Sequence, residues 1–345
     1  MLLVRAILYF CCIASLLFRI GTQVYTEQDK WCIAILSFLL MLIFILVWKI
    51  NNPGIELYTR IIPTYYNAIS LGIILSSLYG ISQYFSLIDT YSGFAVTGNF
   101  DNPGAYAAAL TAGYPICLFM GKATLSKSHK YFYFITSTSA IIAIILSGSR
   151  SGITGILITI VLFIIINYRY KIRSRHVLLL LIIGGTIGII LYLLKKDSAD
   201  GRLLIWRCAW EMFKDKPIIG YGINTFNKAF SDNVGYVYQG SRWNMYVHSM
   251  YYELLGETGI VGIVLFGFFM LYSLVYSLRL FRNSCLSNVW KGLLWFSISL
   301  QILFIVYGYS GNVLYDKAQL FTYLSSISML IAVSYHAFNE KEILI

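Results

Sequence analysis

The sequence predicts an all-α, polytopic membrane protein with about ten transmembrane helices. Of its 345 residues, 58% are hydrophobic and only 12% are charged, whereas a soluble domain carries about a quarter charged residues. Apolar runs near the length that crosses a bilayer, about 20 residues, recur along the whole chain. We therefore expect one integral membrane domain over residues 1–345, with no separate soluble domain.

Ten apolar segments are candidate spans. The first is interpreted as a retained helix and not as a cleaved signal peptide, because no small-residue cleavage site follows it and more spans come after it. The eighth is long, so its first turns are expected to stand above the membrane. The predicted spans are 2–20, 31–49, 68–88, 103–121, 131–147, 152–168, 177–194, 250–278, 291–308 and 319–337.

Lysine and arginine in the short connections set the predicted orientation, because cytoplasmic loops carry an excess of both residues. One set of connections is basic, and the alternate set holds only Lys30, Arg150 and Lys317. We therefore expect both termini to be cytoplasmic. The basic set contains Lys49, Arg60, Lys122, Lys127, Lys130, Arg169, Lys171, Arg173, Arg175, Arg279, Arg282 and Lys291.

The large outer loop at residues 195–248 departs from this charge pattern, since it holds eight of the chain's 26 lysines and arginines. Positive charge normally avoids this side of a membrane, so the loop predicts an anionic ligand. The net charge of +11 otherwise reflects orientation and attraction to anionic membrane lipids, and we expect no nucleic-acid partner. No ATP is present on the outer side, so a substrate used there must itself contain the activated bond that drives the reaction.

The sequence Ser-Gly-Ser-Arg-Ser-Gly at 147–152 connects two apolar spans. Glycine and serine here predict a tight helical hairpin, which would hold Arg150 at the outer membrane edge. An arginine at that position is costly unless it is paired or functional, and its guanidinium can bind a phosphate with two hydrogen bonds. An interfacial arginine that reaches the headgroups is an equally good interpretation.

Four apolar residues recur at three- to four-residue spacing between 201 and 213, which predicts an amphipathic helix on the membrane surface that ends at Pro217. Arg202 and Arg207 are about 140° apart around this helix, so one face does not hold both. We favour Arg202 as a ligand contact and Arg207 as a lipid or loop contact, although headgroup anchoring is the common role of such a helix. The apolar residues are Leu203, Trp206, Trp210 and Phe213.

His248 stands at the outer entry to a span, and it is the one histidine of the four that is predicted to lie on the outer face. A neutral imidazole can take a proton from a hydroxyl nucleophile, while a hydrogen-bonded interfacial histidine is the plainer alternative. Glu253 and Glu257 either orient partners or satisfy polar groups in the bundle. Gly259 and Gly262 favour close helix packing.

The remaining motifs favour structural roles. Gly220 and Gly222 predict a fixed turn, because a lone G-x-G lacks the strand–turn–helix setting of a nucleotide fingerprint. Asn102-Pro103 marks a turn that enters a span. The six cysteines show no CxxC pattern and no metal-ligand spacing, so we expect no disulfide and no structural zinc.

The order of these motifs resembles the O-antigen ligase/polymerase superfamily, over about residues 98–337 and most strongly over 146–265. The resemblance implies a glycosyltransferase of the GT-C type in the bacterial inner membrane, with its active site facing the periplasm. It also implies an undecaprenyl-pyrophosphate-linked glycan donor, an inverting, metal-independent transfer and no cofactor. Arg150 and Arg202 would then hold the pyrophosphate and His248 would activate the acceptor. Further substrate-binding candidates are Arg207, Arg242, Glu253 and Glu257.

The preferred function is that of an O-antigen ligase, which loads the glycan onto a hydroxyl of lipid A–core. A polysaccharide polymerase and a protein O-oligosaccharyltransferase remain alternatives, because the shared motifs do not separate the acceptors. A polysaccharide flippase is an alternative of a different class, although clear repeat symmetry of the kind many transporters show is missing from the sequence. Catalysis predicts that Arg150, Arg202 and His248 converge on one cavity, which a non-catalytic scaffold would not need.

Overall fold

A computed structural model describes residues 55–88, 96–100, 102–168, 196–226, 247–282, 286–309, 311, 313–314 and 317–343. The predicted spans 2–20, 31–49 and 177–194 lie outside these residues. All the regular secondary structure in the described ranges is helical. The helices are α1 (Ile55–Tyr84), α2 (Pro103–Ala123), α3 (Lys127–Leu146), α4 (Arg150–Tyr168), α5 (Lys196–Asp215), α6 (Met250–Phe281), α7 (Asn288–Gly308) and α8 (Lys317–Ile343).

Within the described residues, five helices are long and apolar enough to cross a membrane, namely α2, α3, α6, α7 and the Gln319–Ala337 part of α8. A shorter apolar stretch covers Arg150–Ile165 of α4. The prediction of a polytopic helical membrane protein is therefore confirmed. The total of ten spans stays a prediction.

The chain divides into two compact units. The first contains the described residues up to Ile153 together with Ser287–Leu293, and the second contains Thr154–Leu286 and the residues from Leu294 onward. The boundary falls within α4 and within α7, so each of these helices contributes residues to both units.

In the first unit, α1, α2 and α3 pack against one another. The start of α2 is capped by Asn102, whose side-chain oxygen accepts a hydrogen bond from the Ala105 N–H at 2.8 Å, and Pro103 occupies the first helical position, where its missing N–H costs nothing. The preceding turn is held by Gln83, whose Oε1 accepts hydrogen bonds from the N–H groups of Thr97 and Gly98. These contacts agree with the structural role predicted for Asn102-Pro103.

The hairpin between α3 and α4 forms as predicted and is stabilised by short-range hydrogen bonds. Ser147 Oγ donates to the Ile144 carbonyl at 2.7 Å, and Gly148 takes a φ of 63°, which glycine adopts without steric cost. Ser149 Oγ then accepts from the Gly152 N–H at 3.3 Å, as an N-cap residue does. Arg150, at the first position of α4, is half-buried.

In the second unit, α5 packs against the first turns of α6. Helix α5 ends at Asp215, two residues before Pro217, as the sequence predicted. Helix α6 is not continuous, because Gly259 has φ 62° and ψ −162° within it. The sequence predicted close packing at Gly259 and did not predict this break. Gly259 separates a short leading segment from the long apolar one.

Buried polar side chains join α6, α7 and α8 in the same unit. Gln301 Nε2 donates to Ser277 Oγ at 3.0 Å and to Ser297 Oγ at 3.1 Å, and Ser297 Oγ donates to the Ser326 carbonyl at 2.6 Å. Such hydrogen bonds between helices stabilise membrane bundles by about 1 kcal/mol each. They hold the later turns of α6 against α7 and α7 against α8.

Candidate active site

The candidate site is built where α5 meets the start of α6, and its base is a small apolar core. Ile205, Ala209 and Met212 of α5 are buried against Phe226 and Val247. Their three- and four-residue spacing makes one face of the helix. Burial of an aliphatic side chain of this kind contributes about 1.5–3 kcal/mol. The packing holds α5 firmly beside the residue that precedes His248.

The packed face of α5 is not the predicted stripe. Leu203 and Trp210 have 55% and 45% of their surface exposed, whereas the buried contacts come from Ile205 and its helical neighbours. The spacing of Leu203, Trp206, Trp210 and Phe213 therefore describes a second apolar face, and only the tertiary contact shows which face packs. Trp206 lies at the border between the two faces and is half-buried.

Trp206 connects α5 to the chain at His248. Its indole Nε1 donates a hydrogen bond to the Val247 carbonyl at 3.0 Å. Its ring stacks on Tyr252 with centroids 5.1 Å apart and meets Tyr309 edge-on at 5.5 Å. A buried indole usually needs a partner for its N–H, and here that partner fixes the backbone beside the candidate base. Sequence reasoning assigned Trp206 only to an apolar stripe and missed this role.

His248 is exposed and has a φ of 52°. This left-handed backbone conformation is uncommon for residues other than glycine, and strain of this kind, about 1–3 kcal/mol, clusters at functional sites. Partial removal of water around the ring lowers the pKa of the His248 imidazole from its usual value, and the positive charge of Arg202 lowers that pKa further. The imidazole is therefore neutral over a wider pH range than a free histidine.

Arg202 is half-buried on the side of α5 that faces His248, while Arg207 is exposed. This arrangement follows from the 140° or so between the two positions around a helix. Arg202 and His248 are thus close enough to interact electrostatically, as the prediction of one shared site requires.

Arg150 belongs to the first unit and Arg242 lies outside the described residues. The catalytic and binding roles of all these residues stay predictions.

The two glutamates of α6 differ in their surroundings. Glu257 accepts hydrogen bonds through both carboxylate oxygens, from the Asn224 N–H at 2.9 Å and the Phe226 N–H at 3.0 Å. Its side chain therefore holds the loop after α5. Glu253 is only 3% exposed, and its Oε2 has no hydrogen-bond partner among the residues that the structure describes. Because Glu253 is buried, a bound glycan does not reach its carboxylate in this structure.

Backbone hydrogen bonds join the loop after α5 to the break in α6. The N–H groups of Tyr221 and Gly222 donate to the carbonyls of Gly256 and Glu257, at 3.2 and 2.7 Å. Further along, two N–H groups of α6 donate back to the loop. The Ile260 N–H donates to the Pro217 carbonyl at 2.8 Å, and the Val261 N–H donates to the Ile218 carbonyl at 3.2 Å.

These bonds supply partners for N–H groups that a helix break would otherwise leave unsatisfied. Gly220 and Gly259, with φ of 65° and 62°, let the two backbones approach, because a Cβ on either would overlap backbone atoms of the other segment. The fixed turn predicted from Gly220 and Gly222 is present, and its partner is the helix break. We name the assembly of α5, residues 217–226, His248 and the first turns of α6 the α5–α6 corner.

Two comparisons with known proteins bear on this site. Residues 135–267 match a family model described as O-Antigen ligase. A protein of Rickettsia conorii (strain ATCC VR-613 / Malish 7), named provisionally as a polysaccharide ligase, is 28% identical over 138 residues, which are 35% of this chain and 33% of the relative. The chain thus matches about a third of that relative's length.

The family match contains both the Ser147–Gly152 hairpin and the α5–α6 corner. The motifs from Ser147 onward that carried the resemblance are therefore inside the region that the family model recognises, whereas Asn102-Pro103 is outside it. Membrane spans, polysaccharide biosynthesis and a ligase-like glycosyl-transferring function are the properties that these matches support. The predicted resemblance to the O-antigen ligase superfamily is confirmed, and it is carried by residues 135–267 of this chain.

Proposed function

We propose that the protein transfers a glycan from an undecaprenyl-pyrophosphate carrier to an acceptor hydroxyl, and that lipid A–core is the preferred acceptor. The observation that carries the proposal is the proximity of His248 and Arg202 in the α5–α6 corner. His248 is exposed and its pKa is lowered, and Arg202 is half-buried. The imidazole can accept the proton of an acceptor hydroxyl, and the guanidinium can bind a phosphate. The family match supports a ligase-like chemistry at this place.

The proposed reaction is a single displacement. His248 accepts the proton of the acceptor hydroxyl, and the hydroxyl oxygen attacks the anomeric carbon of the donor sugar. A new carbon–oxygen bond forms as the bond to the pyrophosphate breaks, and the leaving pyrophosphate keeps the electron pair. Direct displacement inverts the anomeric configuration. The transfer proceeds without a metal ion or cofactor in this proposal.

Arg202 has two effects in the proposal. Its charge stabilises negative charge that grows on the leaving pyrophosphate, an electrostatic effect that typically contributes about 3–4 kcal/mol in enzymes. The same charge disfavours protonation of the nearby imidazole, so His248 starts each cycle as a base. Arg150 is proposed as a second pyrophosphate contact and Arg207 and Arg242 as substrate contacts, while Glu257 positions residues 224–226.

The proposed setting is the periplasmic face of a bacterial inner membrane, with both termini in the cytoplasm and a GT-C type of arrangement. The charge pattern of the connections supports this orientation. A lipid-linked donor also fits a site on that face, since the phosphoanhydride of the carrier supplies the driving force without ATP.

A transfer assay tests the proposal. Protein in liposomes is given undecaprenyl-pyrophosphate glycan with and without lipid A–core, and the products are separated by chain length and acceptor. We expect lipid A–core to be glycosylated, and His248→Ala to lower kcat by about 10²–10⁴-fold, the range for removal of a general base. His129→Ala, at an exposed position of α3, is the matched control and is expected to keep full activity.

Each other outcome has a distinct meaning. Glycan growth on undecaprenyl without lipid A–core would identify a polymerase, and transfer only to an added protein would identify an O-oligosaccharyltransferase. Movement of the donor across the bilayer without transfer would identify a flippase. Near-normal transfer by His248→Ala would remove the histidine from the base role.

A further inference from the structure

Three isoleucines in the loop after α5 expose most of their surface. Ile218 is 65% exposed, Ile219 73% and Ile223 76%. Moving one such side chain out of water is favourable by about 1.5–3 kcal/mol, and a cluster of exposed aliphatic residues indicates an interaction surface. We name these three residues the isoleucine turn. None of the three is among the predicted catalytic or substrate-binding residues.

The isoleucine turn is joined to the lipid-facing surface of a membrane span. The Pro217 and Ile218 carbonyls accept the Ile260 and Val261 N–H groups, at the first residues after the break at Gly259. From there α6 runs for roughly 22 residues, about 33 Å, the thickness of a bilayer core. The apolar surface of α6 continues from the turn through exposed side chains. These are Ile260 47%, Val261 43%, Val264 58%, Leu265 64% and Phe268 68%.

Part of the backbone around the turn is already hydrogen-bonded, which matters in an apolar environment because each unsatisfied polar group there costs several kcal/mol. Pro217 has no N–H, and its carbonyl is bonded to α6. The Ile218 carbonyl is also bonded to α6, and the Gly220 N–H donates to the Lys216 carbonyl at 3.0 Å. These bonds lower the free-energy cost of placing the segment in the membrane.

The exposed face of α5 adds the mixture of residues found at a membrane surface. Leu203, Arg207, Trp210 and Lys214 follow one another at four-, three- and four-residue spacing, and all four are exposed. Tryptophan and basic residues together are typical of the headgroup region. Glu211 forms an ion pair with Lys214 at 2.6 Å, which reduces the net positive charge of this surface.

We propose that the isoleucine turn inserts into the acyl region of the membrane leaflet on the side of His248, with the exposed face of α5 lying at the headgroups. The occupant of this surface is bulk leaflet lipid. The isoleucine turn then anchors the α5–α6 corner at a fixed depth, because hydrogen bonds join its segment to both sides of the break in α6. Pro217 and Ile218 are bonded to α6 after Gly259, and residues 221–222 are bonded to α6 before it. The inference does not depend on the reaction proposed above.

Site-directed spin labelling tests the proposal. Single cysteines are introduced at Ile219, at Leu265 as a lipid-exposed reference and at Glu211 as a headgroup-level reference, in a full-length chain whose native cysteines are replaced. Accessibility to oxygen, which partitions into lipid, is compared with accessibility to a water-soluble nickel chelate in liposomes. We expect a label at 219 to show a severalfold higher oxygen-to-nickel ratio than a label at 211, close to that at 265.

Three results would overturn the proposal. A ratio at 219 equal to that at 211 would place the turn outside the acyl region. Low accessibility to both reagents would indicate a covering protein segment or a second copy of the chain. A ratio that rises only when undecaprenyl pyrophosphate is added would assign the surface to the carrier chain. A label at Ile223, at the other end of the turn, repeats the test if I219C does not fold.

Discussion

The Ser147–Gly152 hairpin and the α5–α6 corner both present an arginine beside a glycine-rich turn, but they are held by different interactions. The hydrogen bonds of the hairpin join residues two or three positions apart. Those that connect the two segments of the corner join residues 31 to 43 positions apart, as between Phe226 and Glu257 or Pro217 and Ile260. The hairpin is thus a local structure, and the corner exists only when α5 and α6 are packed.

Gly148, Gly220 and Gly259 sharpen this comparison, because their φ angles are nearly equal at 63°, 65° and 62°. A Cβ on Gly148 meets nothing within 4 Å, whereas one on Gly220 or Gly259 overlaps backbone. We expect Gly148→Ala to lower the free energy of unfolding by about 1–2 kcal/mol, the cost of the left-handed conformation. Gly220→Ala and Gly259→Ala add overpacking and should cost about 2–5 kcal/mol in total. Thermal unfolding in detergent measures all three.

Equal losses at the three glycines would mean that strain alone matters and that the backbone pairing of the corner adds nothing.

The second test compares one polar side chain from each region. Glu257→Gln leaves one backbone N–H of residues 224–226 facing an amide N–H₂ group instead of an acceptor, so we expect a loss of about 1–3 kcal/mol. Ser149→Ala removes the N-cap of α4 and should cost about 1 kcal/mol. Limited proteolysis of the loop at 217–226, together with thermal unfolding, measures the first effect separately from the second.

Faster cleavage of the loop is expected for Glu257→Gln and not for Ser149→Ala. Unchanged cleavage in Glu257→Gln would contradict the positioning role of this carboxylate.

The smallest expected effect is a pH shift within the corner. Partial removal of water around the ring lowers the pKa of the His248 imidazole, and the charge of Arg202 lowers it further, so Arg202→Gln should raise this pKa towards its usual value. A base is active when unprotonated, and therefore the acid limb of log(kcat/KM) should move to higher pH in this variant. Arg207→Gln is the matched control, because Arg207 is exposed on the other side of α5, and its acid limb should stay in place.

A lower kcat/KM with an unmoved acid limb in Arg202→Gln would mean that Arg202 contacts substrate without tuning the histidine.

Features that depend on neighbouring residues could be predicted from the sequence. The Ser-Gly-Ser-Arg-Ser-Gly pattern indicated the hairpin, and Pro217 indicated the end of α5. The interruption of α6 at Gly259 was missed, because an apolar helix pattern continues across it and a lone glycine carries little signal. Gly220, Gly256 and Gly259 together were the available clue, since close backbone approach requires glycine at specific points.

The sequence by itself determined the membrane class, the order of the family motifs and the candidates Arg150, Arg202 and His248, because hydropathy, turn chemistry and residue type act over a few positions. Only the tertiary structure decided that Ile205, Ala209 and Met212 form the packed face of α5 and that Arg202 lies near His248. It also decided that Glu257 holds the loop and that the isoleucine turn meets α6. These features depend on contacts between distant segments, whose energies appear only after the helices have packed.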